Sequence, residues 1–268
     1  MQATTTGANR TGAASSPERA KAMADAVRLY SPPVDIDTTA SARDRSRYIA
    51  DAEAIGSIPP PASLKGTVRA GVDKLMGEQS ELLLDKIGER IAFERAGTRL
   101  YDALIAKYRA ALDEGGDLPS AAEALDANGE DRLLLGAFVD ETPMQTLERI
   151  RAEELAHFHM LCEAMESLGG DPTAQTPSAD VIGIASAGIM QVMTDPRSTL
   201  AQSLGALLSA ELTDNAGWEL LGELAERFGE DEFSASCLEA LAQEEQHLLV
   251  VRNWLAALLT NGHTSVSV

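Results

Sequence analysis

Two stretches of the chain carry Glu-x-x-His: Glu154–His157 within LERIRAEELAHFHMLCEAM and Glu244–His247 within CLEALAQEEQHLLVVRNWLAAL. On a helix, residues three apart lie on one face, one turn from each other. Each pair therefore aims a carboxylate and an imidazole the same way. The neighbouring residues say where. Leu147, Ile150, Leu161, Ala164 and Leu168 continue the seam of the first pair. Cys237, Ala240, Val251, Trp254 and Leu258 continue that of the second. An ionised glutamate is rarely buried in such a stripe without a partner.

Two more apolar stripes carry one glutamate each. Glu94 lies among Leu84, Ile87, Ile91, Tyr101, Ile105 and Tyr108, and Glu211 among Leu204, Leu207, Trp218, Leu221 and Ala225, with Asp214 also on that seam. The order Glu, Glu-x-x-His, Glu, Glu-x-x-His is the ligand set of a dinuclear metal site inside a four-helix bundle. Four carboxylates bring about −4 and two divalent ions about +4, so the loaded site is neutral and tolerates burial. Oxygen and imidazole ligands together suit iron or manganese. Two Fe ions are the expected cofactor, with Mn or a mixed Fe/Mn pair as alternatives. Three or four protein ligands per ion leave positions open for dioxygen or peroxide.

These seams need four long helices. The pattern predicts the first over about 67–112, with a break or bend near Gly77 or Gly88. The second opens at Thr142-Pro143, a cap and first-turn pair, and stops at Gly169-Gly170. The third covers about 198–228 and the fourth about 232–259. A short helix is expected in GGDLPSAAEALDANG, and another, ADVIGIASAGIMQVM, inside the long link between the second and third long helices. A link of that length suits a crossover that leaves those two helices parallel. The third and fourth, joined by a short turn at Gly229, should be antiparallel.

The expected organisation is a disordered tail over 1–15, an N-terminal arm with short helices over 16–66, the bundle over 67–260 and a polar tail over 261–268. Ser16-Pro17 looks like a helix start. The arm either wraps the bundle or packs on a second subunit of a homodimer. The fold class is all-α: aromatics are 4% of the residues, and no run of alternating β-branched residues reaches strand length.

A formal net charge of −20 repels phosphate backbones and argues against nucleic acid as a partner. No apolar run is long enough to span a bilayer, and no signal-peptide core precedes the arm. Cys162 and Cys237 are too few for a disulfide framework or a cysteine-rich zinc site. A soluble, reduced, cytoplasmic setting is expected.

The pattern resembles the ferritin-like di-iron carboxylate superfamily, which includes bacterioferritin, rubrerythrin, the small subunit of ribonucleotide reductase and manganese catalase. The resemblance covers about residues 67–260 and implies an up-down-down-up four-helix bundle. It implies that Glu154 and Glu244 bridge the metals and that Glu94 with His157 and Glu211 with His247 complete each ion. In several relatives an acid before the bridging glutamate orients the opposite imidazole; Glu153 and Gln243 stand at those positions, so this chain matches the pattern at only one of them. Glu211-Leu-Thr-Asp214 is a shortened version of the Glu-x-x-Glu of rubrerythrin, which places Asp214 beside the ligands. The chain lacks the Cys-x-x-Cys pairs of a rubredoxin-like electron carrier, and no fifth helix of the kind cage subunits use is evident. Storage in a shell is therefore disfavoured. The expected function is an oxidoreductase that activates dioxygen or peroxide and oxidises Fe(II) or a small organic molecule. Sequestration of iron or manganese without turnover, and manganese catalase-like disproportionation of peroxide, are the alternatives.

Tyr101 and Trp218 each lie two turns from a seam glutamate, about 10 Å along the axis. Packing is the commoner role for both, and Tyr101 and Asp214 are retained as catalytic candidates. His159 is two residues from His157 and faces away from the seam.

Overall fold

The computed structural model describes residues 15–33, 37–64, 66–68, 71, 80–130 and 132–260. The expected tails over 1–15 and 261–268, together with Gly77, lie almost wholly outside the described residues. Among the described residues every regular element is helical, and no helix is long and apolar enough to cross a membrane. The chain divides into two compact units, residues 4–54 and 55–268.

The smaller unit contains α1 (Pro17–Tyr30) and α2 (Thr39–Asp51). Pro17 opens α1, but the Ser16 side chain makes no capping bond, and neither helix buries a residue.

The larger unit contains α3 (Ser80–Asp113), α4 (Ala121–Asn128), a 3-10 segment (Arg132–Phe138), α5 (Pro143–Ser167), α6 (Pro177–Thr194), α7 (Leu200–Arg227) and α8 (Asp231–Thr260). Local chemistry sets the starts. The Thr142 hydroxyl accepts from the Gln145 backbone amide, and the Gln145 side chain reaches back to the cap; Thr199 and Gln202 repeat this at α7, and Ser120 and Glu123 at α4. Gly169 and Gly229, both at positive φ, close α5 and α7.

The expected break at Gly88 is not found, because α3 continues through it. Gly88 is a contact residue instead: a Cβ there would lie 2.5 Å from the Thr176 side chain at the start of α6.

Helix α7 packs most extensively on α8, consistent with the three-residue turn joining them, while α3 packs on α5, α6 and α7, and α5 on α8. Two apolar clusters result. The larger includes Leu100, Leu104, Leu147, Ile150, Leu204, Leu207, Val251 and Trp254. The smaller includes Ile87, Ile91, Leu161, Met165, Trp218, Leu221, Cys237 and Ala240. Each long helix crosses from one cluster to the other: α3 and α8 run from the smaller to the larger, α5 and α7 the opposite way. A buried leucine stabilises the fold by about 1.5–3 kcal/mol, so the clusters can carry a polar layer between them.

Candidate metal centre

That polar layer is where the seam carboxylates and imidazoles meet. Glu94, Glu154, His157, Glu211, Glu244 and His247 are none of them more than 4% exposed. Glu154, Glu211, Glu244 and His247 form one group able to hold an ion, and Glu94, His157 and Glu244 a second. Glu244 belongs to both. A third group joins Glu94, Glu154, Asp214 and Glu244. His157 Nδ1 is 2.8 Å from Glu244 Oε1 and 3.7 Å from Glu94 Oε2. His247 Nδ1 is 3.0 Å from Glu244 Oε2 and 3.6 Å from Glu154 Oε1.

The donor atoms are left open. Glu94 Oε2, Glu154 Oε2, Glu211 Oε2 and Glu244 Oε1 have no hydrogen-bond partner, and neither does His157 Nδ1, which lies near Glu244 without hydrogen-bond alignment. An unpaired buried carboxylate oxygen is expensive. One such oxygen on each of four converging glutamates is what ligands of a cation would show. The residues fit a metal.

The far nitrogens of both imidazoles are engaged across the helix pair. Gln243 Oε1 lies 2.7 Å from His157 Nε2, and Glu153 Oε2 lies 2.8 Å from His247 Nε2. Arg149 holds Glu153 at 2.7 Å and Glu141 at 3.1 Å. These contacts leave each Nδ1 turned to the carboxylates. The Tyr101 hydroxyl donates to Glu211 Oε1 at 2.5 Å, so Tyr101 touches the cluster rather than only filling the core. Asn215 Nδ2 donates to the Glu211 and Glu244 carbonyls at 2.9 and 3.1 Å, tying α7 to α8 at this level.

Crowded charge shapes the titration. Burial, then the neighbouring Glu244, pushes the Glu154 carboxyl well above the usual range and Glu211 up to about 8. Burial opposes charge on His157, but Glu244 and Glu94 outweigh it and raise the imidazolium to about 10. His247 is raised in the same way by Glu244, Glu153 and Glu154. Burial also opposes charge on Glu244, yet the two histidines draw its carboxyl down to about 2. Without a metal the cluster thus stores protons that an incoming cation would displace.

Three features escape the sequence reading. Arg90 is buried, and its Nη2 pairs with both Glu94 and Asp214. Its guanidinium also stacks over Phe93 and Trp218 at 4.7 and 5.3 Å. The available signal was its position one turn before Glu94. Gly97 is the second: a Cβ there would sit 1.9 Å from Glu154 Oε2, so the missing side chain makes room for that carboxylate. Gly217 is the third, leaving space for Arg90.

Trp218 packs edge-on to His157 at 5.3 Å. His159 is exposed, and His263 lies outside the described residues. Cys162 is half-buried, and Cys237 is buried with its thiol pushed up to about 12 by burial, as expected of packing cysteines. Compared with known proteins, the chain matches no family model, no curated protein and no solved structure at a significant level. What the structure shows is an all-helical protein with a buried carboxylate–histidine cluster that could hold a metal ion.

Proposed function

We propose that the larger unit is a ferritin-like four-helix bundle whose cluster holds two metal ions, iron by preference, and that the protein is an oxidoreductase acting with dioxygen or peroxide on Fe(II) or a small organic molecule. The observation that carries this reading is the open oxygen on each of four buried glutamates, arranged in two groups that share Glu244. The opposed directions of the long helices support an up-down-down-up bundle, α6 lying in the crossover.

In this reading Glu94 and His157 serve one ion, Glu211 and His247 the other, and Glu154 and Glu244 both. Two bound Fe(II) ions would supply the electrons that reduce the oxidant. The protein does the rest. Glu153 and Gln243 fix the imidazoles. The two apolar clusters exclude water from the polar layer. Tyr101, its phenol raised well above 10 by burial and by Glu211, keeps a proton at its hydroxyl oxygen beside Glu211. It therefore stays a hydrogen-bond donor to Glu211 as the charge of the cluster changes.

Anaerobic titration with Fe(II) tests the site, with two ions per chain expected; one or none overturns the dinuclear reading. Stopped-flow absorbance after mixing the loaded protein with oxygen tests the activity. A ferric charge-transfer band that forms and turns over repeatedly supports an oxidoreductase. A single turnover, or none, indicates sequestration. Rapid gas evolution from peroxide by the manganese-loaded protein alone would move the assignment to catalase-like chemistry.

A further inference from the structure

Between α3 and α7 a pocket of about 250 Å³ opens to the surface, walled by Leu82, Leu220, Leu221 and Leu224, with Arg90 and Gly217 also in its lining. It reaches the metal cluster through one side chain, because the same Arg90 pairs with Glu94. We propose that this pocket binds a small, uncharged, mostly apolar molecule through one hydrogen-bond-accepting oxygen, and that this molecule is the organic substrate of the cluster. The second part rests on the function proposed above.

Size, polarity and charge carry the argument. An apolar cavity of about 150 Å³ holds benzene, so this pocket accommodates a molecule of roughly ten heavy atoms. Four leucines make up half of its lining, beside Lys86, Glu89, Arg90 and Gly217, and most of the exposed wall is apolar, which favours an apolar body. The polar requirement comes from Arg90, whose side chain is 3% exposed. Both of its ion pairs use Nη2, Nε has no partner, and among the described residues nothing accepts from Nη1. Nη1 is the atom nearest to Gly217, 2.4 Å from where a Cβ would stand, so it borders the pocket wall. Nε is buried without an acceptor, and Nη1, which borders the pocket, offers a free N–H to an oxygen placed there.

The charge of that oxygen is also decided. Arg90 already faces two carboxylates, Glu94 and Asp214, and Lys86 at the pocket is neutralised by Glu89 at 2.5 Å. A third anion at Arg90 would meet repulsion, while a neutral carbonyl or hydroxyl would not.

The test uses chelator-treated full-length protein and three probes of similar shape: acetophenone, ethylbenzene and benzoate. Calorimetry should show acetophenone binding, ethylbenzene about fivefold weaker for want of one hydrogen bond, and benzoate weaker still. Leu220→Trp, at a 65% exposed position in the pocket wall, should lower acetophenone affinity at least fivefold with an unchanged melt. Gly217→Val should also lower the affinity by displacing Arg90, here with a lower melting temperature because Glu94 and Asp214 lose their partner. Equal binding of all three probes, no binding, or wild-type affinity in both variants would overturn the pocket assignment. These measurements need no metal, so they stand or fall apart from the dinuclear reading. For the substrate role, the visible bands of cobalt(II)-loaded protein should shift on adding acetophenone in wild type and not in Leu220→Trp. An unchanged spectrum in wild type would overturn that role.

Discussion

The two halves of the cluster use the same residue types and are held in different ways. Around Glu94 and His157 the supports are a buried arginine and a neutral amide. Arg90 pairs with Glu94 and Asp214, and Gln243 fixes His157. Around Glu211 and His247 they are a phenol and a charged carboxylate. Tyr101 donates to Glu211, and Glu153, itself held by Arg149, fixes His247. A carboxylate behind an imidazole strengthens it as a donor, and an amide mainly orients it. Glu94 must also be shared between Arg90 and any cation. The difference teaches that, on the dinuclear reading proposed above, the two positions would be unequal: His247 and Glu211 would form the tighter one, and the Glu94 side, next to the pocket, the adaptable one.

The largest effect should come from the residue common to both halves. Glu244→Ala should remove both ions, so that anaerobic Fe(II) no longer raises the melting temperature, whereas His157→Ala and His247→Ala should each leave one ion. Two ions retained in Glu244→Ala would mean that the halves are independent sites.

Next is Arg90→Leu, which strands two buried carboxylates. A cost of about 3–5 kcal/mol in the metal-free protein is expected, measured by denaturant unfolding. Tyr101→Phe, its counterpart in the other half, should cost only about 1 kcal/mol. Equal costs would erase the distinction.

Acidity should separate the metal-free and loaded states. With Glu211 raised from 4.5 to about 8 and His157 from 6.5 to about 10, the folded chain holds more protons than the unfolded one across those intervals. Stability contributed by these groups is present below the unfolded values and is lost as pH rises through the folded ones. Chelated protein should therefore melt at falling temperature between about pH 5 and pH 9, by about 5 °C or more. Loaded protein should lose this slope, because bound ions replace the protons. Parallel curves would show that no metal displaces them.

A smaller effect concerns the orienting residues. Glu153→Gln should weaken one ion about 10–100-fold, and Gln243→Ala the other by less, measured by competition with a chelator. A larger loss in Gln243→Ala would reverse the ranking of the halves. The smallest effect belongs to His159→Ala, which should leave metal content unchanged, since that ring is exposed.

The six cluster residues were legible because the helical period sets angles about an axis. Glu154 with His157, and Glu244 with His247, share a face by spacing alone, and apolar neighbours show that the face is buried. Caps were legible for a similar reason: Thr142 with Gln145 is a local hydrogen-bond pattern. Arg90 was not, because its partner Asp214 lies 124 residues away. A buried arginine on an apolar seam looks like a surface residue until the opposite carboxylate is known. Gly97 and Gly88 were read as nothing and as a break; they are places where another side chain approaches α3.

By itself, then, the sequence determined four amphipathic helices, the seam each buries, and a set of four carboxylates and two imidazoles in a given order. Propensity, capping and a 3.6-residue period act within one segment, so they can be read there. Tertiary structure alone decided that these side chains stand at one level between two apolar clusters and that Gln243 meets His157 while Glu153 meets His247. It also decided that Arg90 joins Glu94 to Asp214 beside a leucine-walled pocket. Those facts depend on the axial offset and crossing of separate helices, set by how side chains interlock across the interface, and the period of a single helix carries no information about that offset.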